Sequence, residues 1–289
     1  GLAGSLDPAT LQVIEVDTAG IVLNSSVQFQ FDAAADFDAA TNIVGNLVFV
    51  MNDTTPAMST RYYRVLFDVV GACDDCPAAP AVPVPTTVDS LMYENQMTYL
   101  VSTPRADYYY HQDGAGLASI IDNAGQDWIG FHDIAGSRTA GEYRGIPNLV
   151  FTAGNAAASF FHPGFDNATS QLVSHGPLKV AVRSVTNNGA NEWVLLWEFY
   201  QSFARLTVEQ TGSSNGGDYW FLYEGTPGGG LDPGDMVVRS DGTATSAMDN
   251  GDQWEMALAD PQWLYFHDTA AARYLYVSDD MGDNALDAY

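Results

Sequence analysis

At 289 residues, with 46% hydrophobic and 12% aromatic content, the chain has apolar material for one large domain or two ordinary ones, which excludes general disorder. Its 36 acidic residues against 10 basic ones give a net charge of −26. That balance excludes a nucleic-acid partner, because phosphate contacts need Lys and Arg, and it disfavours anionic membrane surfaces. No run reaches the ~18–20 consecutive apolar residues of a spanning helix, so no membrane insertion is expected.

The acids are mostly Asp, a turn and cap former, and the only lysine is Lys179. Such a surface suits saline water, where screening tempers self-repulsion. The chain opens at Gly1 with no leader-like segment and stops on Tyr289 without a polar tail. We expect a secreted protein, extracellular or at the cell surface, from which a leader has been removed, and which is itself a fragment or a processed piece.

In chain order, short alternating runs come first, at 11–16, 21–23, 27–31, 46–51 and 61–67. The turn Asp17-Thr18-Ala19-Gly20 separates the first two. Period-two runs punctuated by Gly, Asn and Asp predict an antiparallel sandwich of Ig-like size over residues 1–75. Cys73 and Cys76 follow, and they are the only cysteines. Their CxxC spacing is read first as a small structural disulfide, with free thiols or metal and redox chemistry as the alternatives. The two intervening acids would raise a thiol pKa, and no further zinc ligands lie nearby.

Residues 76–87 form a linker in which Pro77, Pro80, Pro83 and Pro85 favour an extended, semi-rigid spacer. Residues 88–289 then give strands at 97–103, 117–122, 127–131, 178–186, 193–200, 203–210, 219–224, 236–240, 263–267 and 274–278. The expected class is all-β: an N-terminal Ig-like β-sandwich plus a larger antiparallel β-sandwich or supersandwich. Parity along 193–200 puts Trp193, Leu195, Trp197 and Phe199 on a core face and Glu198 and Tyr200 on the other, where Glu198 can meet Arg205 across the hairpin.

The run Tyr108-Tyr109-Tyr110-His111, continued by Gly116-Leu117-Ala118-Ser119-Ile120-Ile121-Asp122-Asn123-Ala124-Gly125-Gln126-Asp127-Trp128, resembles the early strands of galactose-mutarotase-like sandwiches. Gly141-Glu142-Tyr143-Arg144 and Phe161-His162-Pro163-Gly164 resemble segments of secreted bacterial polysaccharide-processing proteins, and the first segment resembles their Ig-like accessory modules. The resemblance implies a carbohydrate context; its motifs are turns and carry no mechanism.

Chemistry is densest from Gly130 to Arg144, a Gly-rich connection after a strand. In a glycan-cleaving protein Arg144 would bind a carboxylate or sulfate, His132 or Tyr143 would act as base, and Glu142 as acid or orienting group. His162 is a further catalytic candidate. Arg138, Glu198, Tyr200, Tyr223 and Glu224 are candidate substrate-binding residues, since acids and tyrosines beside aromatic faces suit a sugar cleft. The competing readings are a salt-bridged surface loop and ordinary packing. No cofactor is expected, although the Asp-rich turns at 249–252 and 279–283 have the chemistry for calcium.

The functional expectation is an extracellular carbohydrate-binding or polysaccharide-degrading protein with a glycan as its partner. The alternative is a structural or adhesive protein, a filament or surface-layer subunit, that self-assembles through strand edges.

Overall fold

The computed structural model describes residues 5–72, 76–132, 146–147, 162–164, 166–186, 192–211, 233–246, 258–270 and 272–279. Among them the chain is all-β, with seventeen strands and no helix, hence no helix long and apolar enough to cross a membrane. It divides into two compact units, each drawing on separated stretches of sequence. The first takes residues 1–88, 172–182 and 197–205; the second takes 89–171, 183–196 and 206–289.

The first unit begins with β1 (Leu6–Val16), β2 (Val22–Val27), β3 (Phe29–Ala33), β4 (Gly45–Phe49) and β5 (Tyr62–Val69). They form an antiparallel sheet in the order β2-β1-β5 and an antiparallel β3-β4 pair. Alternation supplies the filling between them. Leu11, Val13, Val27 and Phe29 are buried, and Phe31, Leu47, Phe49 and Tyr63 pack on them. The turn into β2 closes because Asp17 Oδ1 accepts from the N–H groups of Ala19 (2.9 Å) and Ile21 (2.8 Å). Arg61 clasps Glu15 bidentately, Nε to Oε1 and Nη2 to Oε2, both at 2.7 Å.

The proline-rich stretch runs along this unit with hydrogen bonds of its own. Gln28 Nε2 donates to Ala81 O at 2.8 Å, Gln201 Nε2 to Val84 O at 2.9 Å, and Thr86 N–H to Pro177 O at 2.8 Å. Cys76 is disulfide-bonded. Cys73, the chain's other cysteine, lies outside the described residues.

Strand β6 (Thr87–Tyr93) begins in the first unit and leads into β7 (Gln96–Ser102), β8 (Ala106–His111) and β9 (Gly116–Asp122), the sheet β6-β7-β8-β9. Glu94 and Asn95, with φ of 48° and 61°, make the two-residue turn between β6 and β7, the positive-φ pair that a tight hairpin needs. Strands β10 (Ala168–His175), β11 (Lys179–Thr186), β12 (Val194–Tyr200) and β13 (Ala204–Gln210) form a second sheet, and each contributes residues to both units. Trp193, just before β12, and Leu195, Trp197 and Phe199 on it are all buried, the face that parity predicts. The last sheet, in the second unit, has the order β15-β14-β16-β17, from β14 (Met236–Arg239), β15 (Ala244–Ser246), β16 (Trp263–Asp268) and β17 (Arg273–Ser278).

The strand expected at 127–131 is reduced to an isolated bridge between Asp127 and Ile121. Asp127 Oδ1 accepts from the N–H of Ile129 at 3.0 Å and of Ile120 at 3.3 Å, and Gly130 has φ of 70°. A side chain that bonds its own backbone displaces the ladder. The strand expected at 219–224 lies outside the described residues.

One close approach ties β9 to the 162–164 turn. A Cβ on Gly116 would stand 2.7 Å from Pro163 Cδ and 3.1 Å from its Cγ. The proline ring cannot swing aside, so Gly116→Ala is expected to destabilise by about 1–3 kcal/mol. Urea unfolding of the variant beside the parent measures it, and equal midpoints would show that the turn yields freely.

Candidate functional site

The structure places the sequence-predicted residues unevenly. Arg138, Glu142, Tyr143, Arg144, Tyr223 and Glu224 lie outside the described residues, as does the acidic turn at 249–252, while of 279–283 only Asp279 is described. Among the rest, Glu198 and Tyr200 belong to the first unit and His132 and His162 to the second.

His132 is solvent-facing, its side chain 65% exposed, and its Nδ1 meets Glu94 Oε1 at 3.1 Å. His162 is buried, and burial pushes its pKa down to about 4, although its contact with the Pro163 carbonyl acts in the opposite direction. That carbonyl can only accept, so the neutral ring carries its proton on Nδ1. Gly164 N–H donates to His111 Nδ1 at 3.2 Å, which assigns His111 the other tautomer. Phe131 stands edge-on between the two rings, 5.2 Å from His111 and 6.4 Å from His162. Neutral, packed and locked to backbone, His162 has the environment of a core histidine.

Glu198 sits in a buried ion cluster of the first unit. Lys179 Nζ lies 3.1 Å from Glu198 Oε1 and 3.0 Å from Asp32 Oδ2. Arg205 donates to Glu198 Oε2 through Nε at 2.9 Å and also through Nη2, the pairing that hairpin parity anticipates. Tyr200 Oη donates to Glu198 Oε1 at 3.2 Å. Gln30 builds the floor: its Oε1 accepts from the N–H of Leu178 and Lys179, both 2.9 Å, and its Nε2 donates to Lys179 O at 3.0 Å and Asp32 Oδ1 at 2.7 Å.

The charges are tuned together. Burial alone would raise the Glu198 carboxyl, but hydrogen bonds from Arg205 and Lys179 hold it below the ordinary glutamate value. Burial alone would lower Lys179, but its bonds to Asp32 and Glu198 hold it above the ordinary lysine value. Both Glu198 oxygens therefore serve internal donors, and the arrangement is suited to holding strands together.

A different surface has the character of a binding site. On β16, Trp263, Tyr265 and His267 alternate with Leu264, Phe266 and Asp268; on β17, Tyr274 and Tyr276 alternate with Leu275 and Val277. The register sets Tyr265 opposite Tyr276 and His267 opposite Tyr274. Leu264, Phe266 and Val277 turn inward onto Val237 and Leu258. The other face gathers five rings. Trp263 and Tyr265 lie 6.0 Å apart at 8°, Trp263 and Tyr276 5.8 Å at 33°, Tyr265 and Tyr274 5.4 Å at 84°, and His267 and Tyr274 4.5 Å at 19°. Tyr274 is 59% and Tyr276 58% exposed. The period-two spacing of these aromatics was visible in the sequence as strand pattern, but nothing local said that the aromatic parity would be the outward one.

Among the described residues no group of three or more His, Cys, Asp or Glu is arranged to hold a metal ion. Comparison with family models, with curated proteins and with solved structures gives no match.

The ion cluster carries a pH signature. A carboxyl depressed in the folded state stabilises above its unfolded pKa, and this is lost as pH falls through the folded value; a lysine raised in the folded state stabilises until pH rises through its folded value. Stability is therefore expected to decline on acidification below Glu198's ordinary value of 4.5, and to decline again above Lys179's ordinary value of 10.5. Lys179→Met leaves Glu198 and Asp32 short of a buried cation and should cost about 3–5 kcal/mol at neutral pH, with a flatter acid limb. Denaturant titrations across pH read both effects, and an unchanged midpoint would remove the cluster from the stability of this unit.

Proposed function

We propose that the chain is a secreted carbohydrate-binding protein that holds a neutral polysaccharide against the aromatic face of β16 and β17. The observation that carries the reading is the five-ring stripe on one sheet face, with Tyr274 and Tyr276 exposed and Trp263, Tyr265 and His267 half-buried beside them. Aromatic rings offer apolar surface to the C–H faces of pyranoses, while tyrosine hydroxyls and an imidazole edge suit the ring hydroxyls. The near-perpendicular pair Tyr265 and Tyr274 presents rings in two orientations, useful for a chain of linked sugars.

Charge discriminates among ligands that stack. Single-stranded nucleic acid also uses aromatic platforms, but together with a positive groove that tracks phosphates. The strands β16 and β17 carry one basic residue other than histidine, Arg273, which lies 3.7 Å from Asp122. With a net charge of −26, an acidic glycan is repelled on approach and a neutral one is not. The bonded Cys76 and the Asp-rich, lysine-poor composition support an oxidising, saline exterior.

Retention on insoluble neutral polysaccharides and mobility shifts in gels containing soluble ones test the reading. Binding to at least one neutral glycan is expected, with none to uronate or sulfated polymers. Tyr276→Ala and Trp263→Ala should each weaken it by roughly tenfold, about 1.4 kcal/mol, with the fold intact. Failure to bind any neutral glycan, or binding that survives both substitutions, would sink the reading.

A further inference from the structure

The edge strand β5 is unusual for an exposed edge. Val65, Leu66 and Phe67 are consecutive and 45%, 44% and 42% exposed, flanked by exposed Tyr62 and Val70. The strand holds no lysine or proline, the residues that commonly blunt such edges. At the opposite edge, β2 exposes Val22 and Leu23 at its start but turns polar through Asn24, Ser25 and Ser26.

The hydrogen bonds show which backbone groups of β5 point outward. Asp68 N–H donates to Thr10 Oγ1 at 2.8 Å, the Thr10 hydroxyl approaches Asp68 O at 3.4 Å, and Val70 N–H donates to Ser5 O at 2.8 Å, so the even-numbered residues address β1. By alternation the N–H and C=O groups of Tyr63, Val65 and Phe67 face away from it. β5 ends its sheet, so no described strand pairs on that side.

We propose that β5 pairs antiparallel with β5 of a second copy, about a two-fold axis at Leu66. Opposed residues in an antiparallel pair share a face and a bonding type, so the axis must pass through a residue and not between two. Charge then chooses the residue. An axis on Val65 sets Arg64 opposite Leu66 and Asp68 opposite Tyr62. An axis on Leu66 sets Arg64 of each copy opposite Asp68 of the other, Val65 opposite Phe67, and Leu66 opposite itself. The second register pairs charge with charge and apolar with apolar, twice over by symmetry. It joins the outward groups of Val65 and Phe67 in ladder bonds and covers the exposed apolar run. The proposal is independent of the glycan reading.

Sedimentation of the purified full chain tests it, with Arg64→Asp and Asp68→Arg made separately. The parent is expected to be a dimer. Each single reversal sets like charges face to face and should weaken dimerisation at least roughly tenfold. An equimolar mixture of the two variants should dimerise again, because both facing pairs of the mixed dimer would join a carboxylate to a guanidinium. Leu66→Lys, which brings two ammonium groups together on the axis, should be monomeric with an unchanged circular dichroism spectrum. A monomeric parent, single reversals that dimerise like the parent, a mixture that stays monomeric, or a dimeric Leu66→Lys would each overturn the proposal.

Discussion

The first unit depends on one buried cation. Lys179, the only lysine of the chain, reaches Asp32 at the end of β3 and Glu198 on β12, while its backbone is held by Gln30. Removing an ion from water is costly, and the attraction inside repays it only when hydrogen bonds satisfy every partner. Here Arg205, Tyr200, Ser174 and Gln30 complete the set. The cluster ties β3 to the β10–β13 sheet, two stretches far apart in sequence. A cation at that position is also what allows Glu198 to be buried there as a carboxylate.

The same scarcity organises the rest of the charge. Arg61 is clasped to Glu15, Arg183 to Glu209 and Arg205 to Glu198, while Arg239 is buried and donates to Thr245. The described cations act largely as internal ties, so the surface shows mostly carboxylate. The proposed glycan recognition accordingly rests on aromatic surface and neutral hydrogen bonding and not on the described cations. The stripe on β16 and β17 is therefore consistent with the charge economy of the whole chain and not an ornament on it.

Strand parity was legible in the sequence where one face of a strand was uniformly apolar and aromatic, although Val194 and Glu198 on the other face of β12 are buried as well. The buried row Trp193, Leu195, Trp197 and Phe199, and the pairing of Glu198 with Arg205, follow from alternation and a short hairpin. The reading failed at 127–131 because the Asp127 carboxylate bonds local amides, which an alternation pattern does not register. Lys179 with Asp32 was illegible for another reason: the partners are far apart in sequence, and only the tertiary fold brings them together. The aromatic stripe lay between these cases. Its spacing was plain, but which parity faces solvent is decided by Val237 and Leu258 beneath it, residues outside either strand.

Self-pairing through β5 must overcome the mutual repulsion of two chains carrying −26 each. The two contributions act over different distances. Net repulsion is summed over many exposed charges spread across each surface, most of them farther apart than the Debye length of about 8 Å at physiological salt, so ions in solution remove it first. An Arg64–Asp68 contact within the paired strands is short and flanked by Val65, Leu66 and Phe67, and it is screened far less. Salt thus weakens the term that separates the copies more than the terms that join them. A strongly acidic composition and an apolar, charge-complementary edge are then compatible features of one molecule: added salt would favour the proposed pairing.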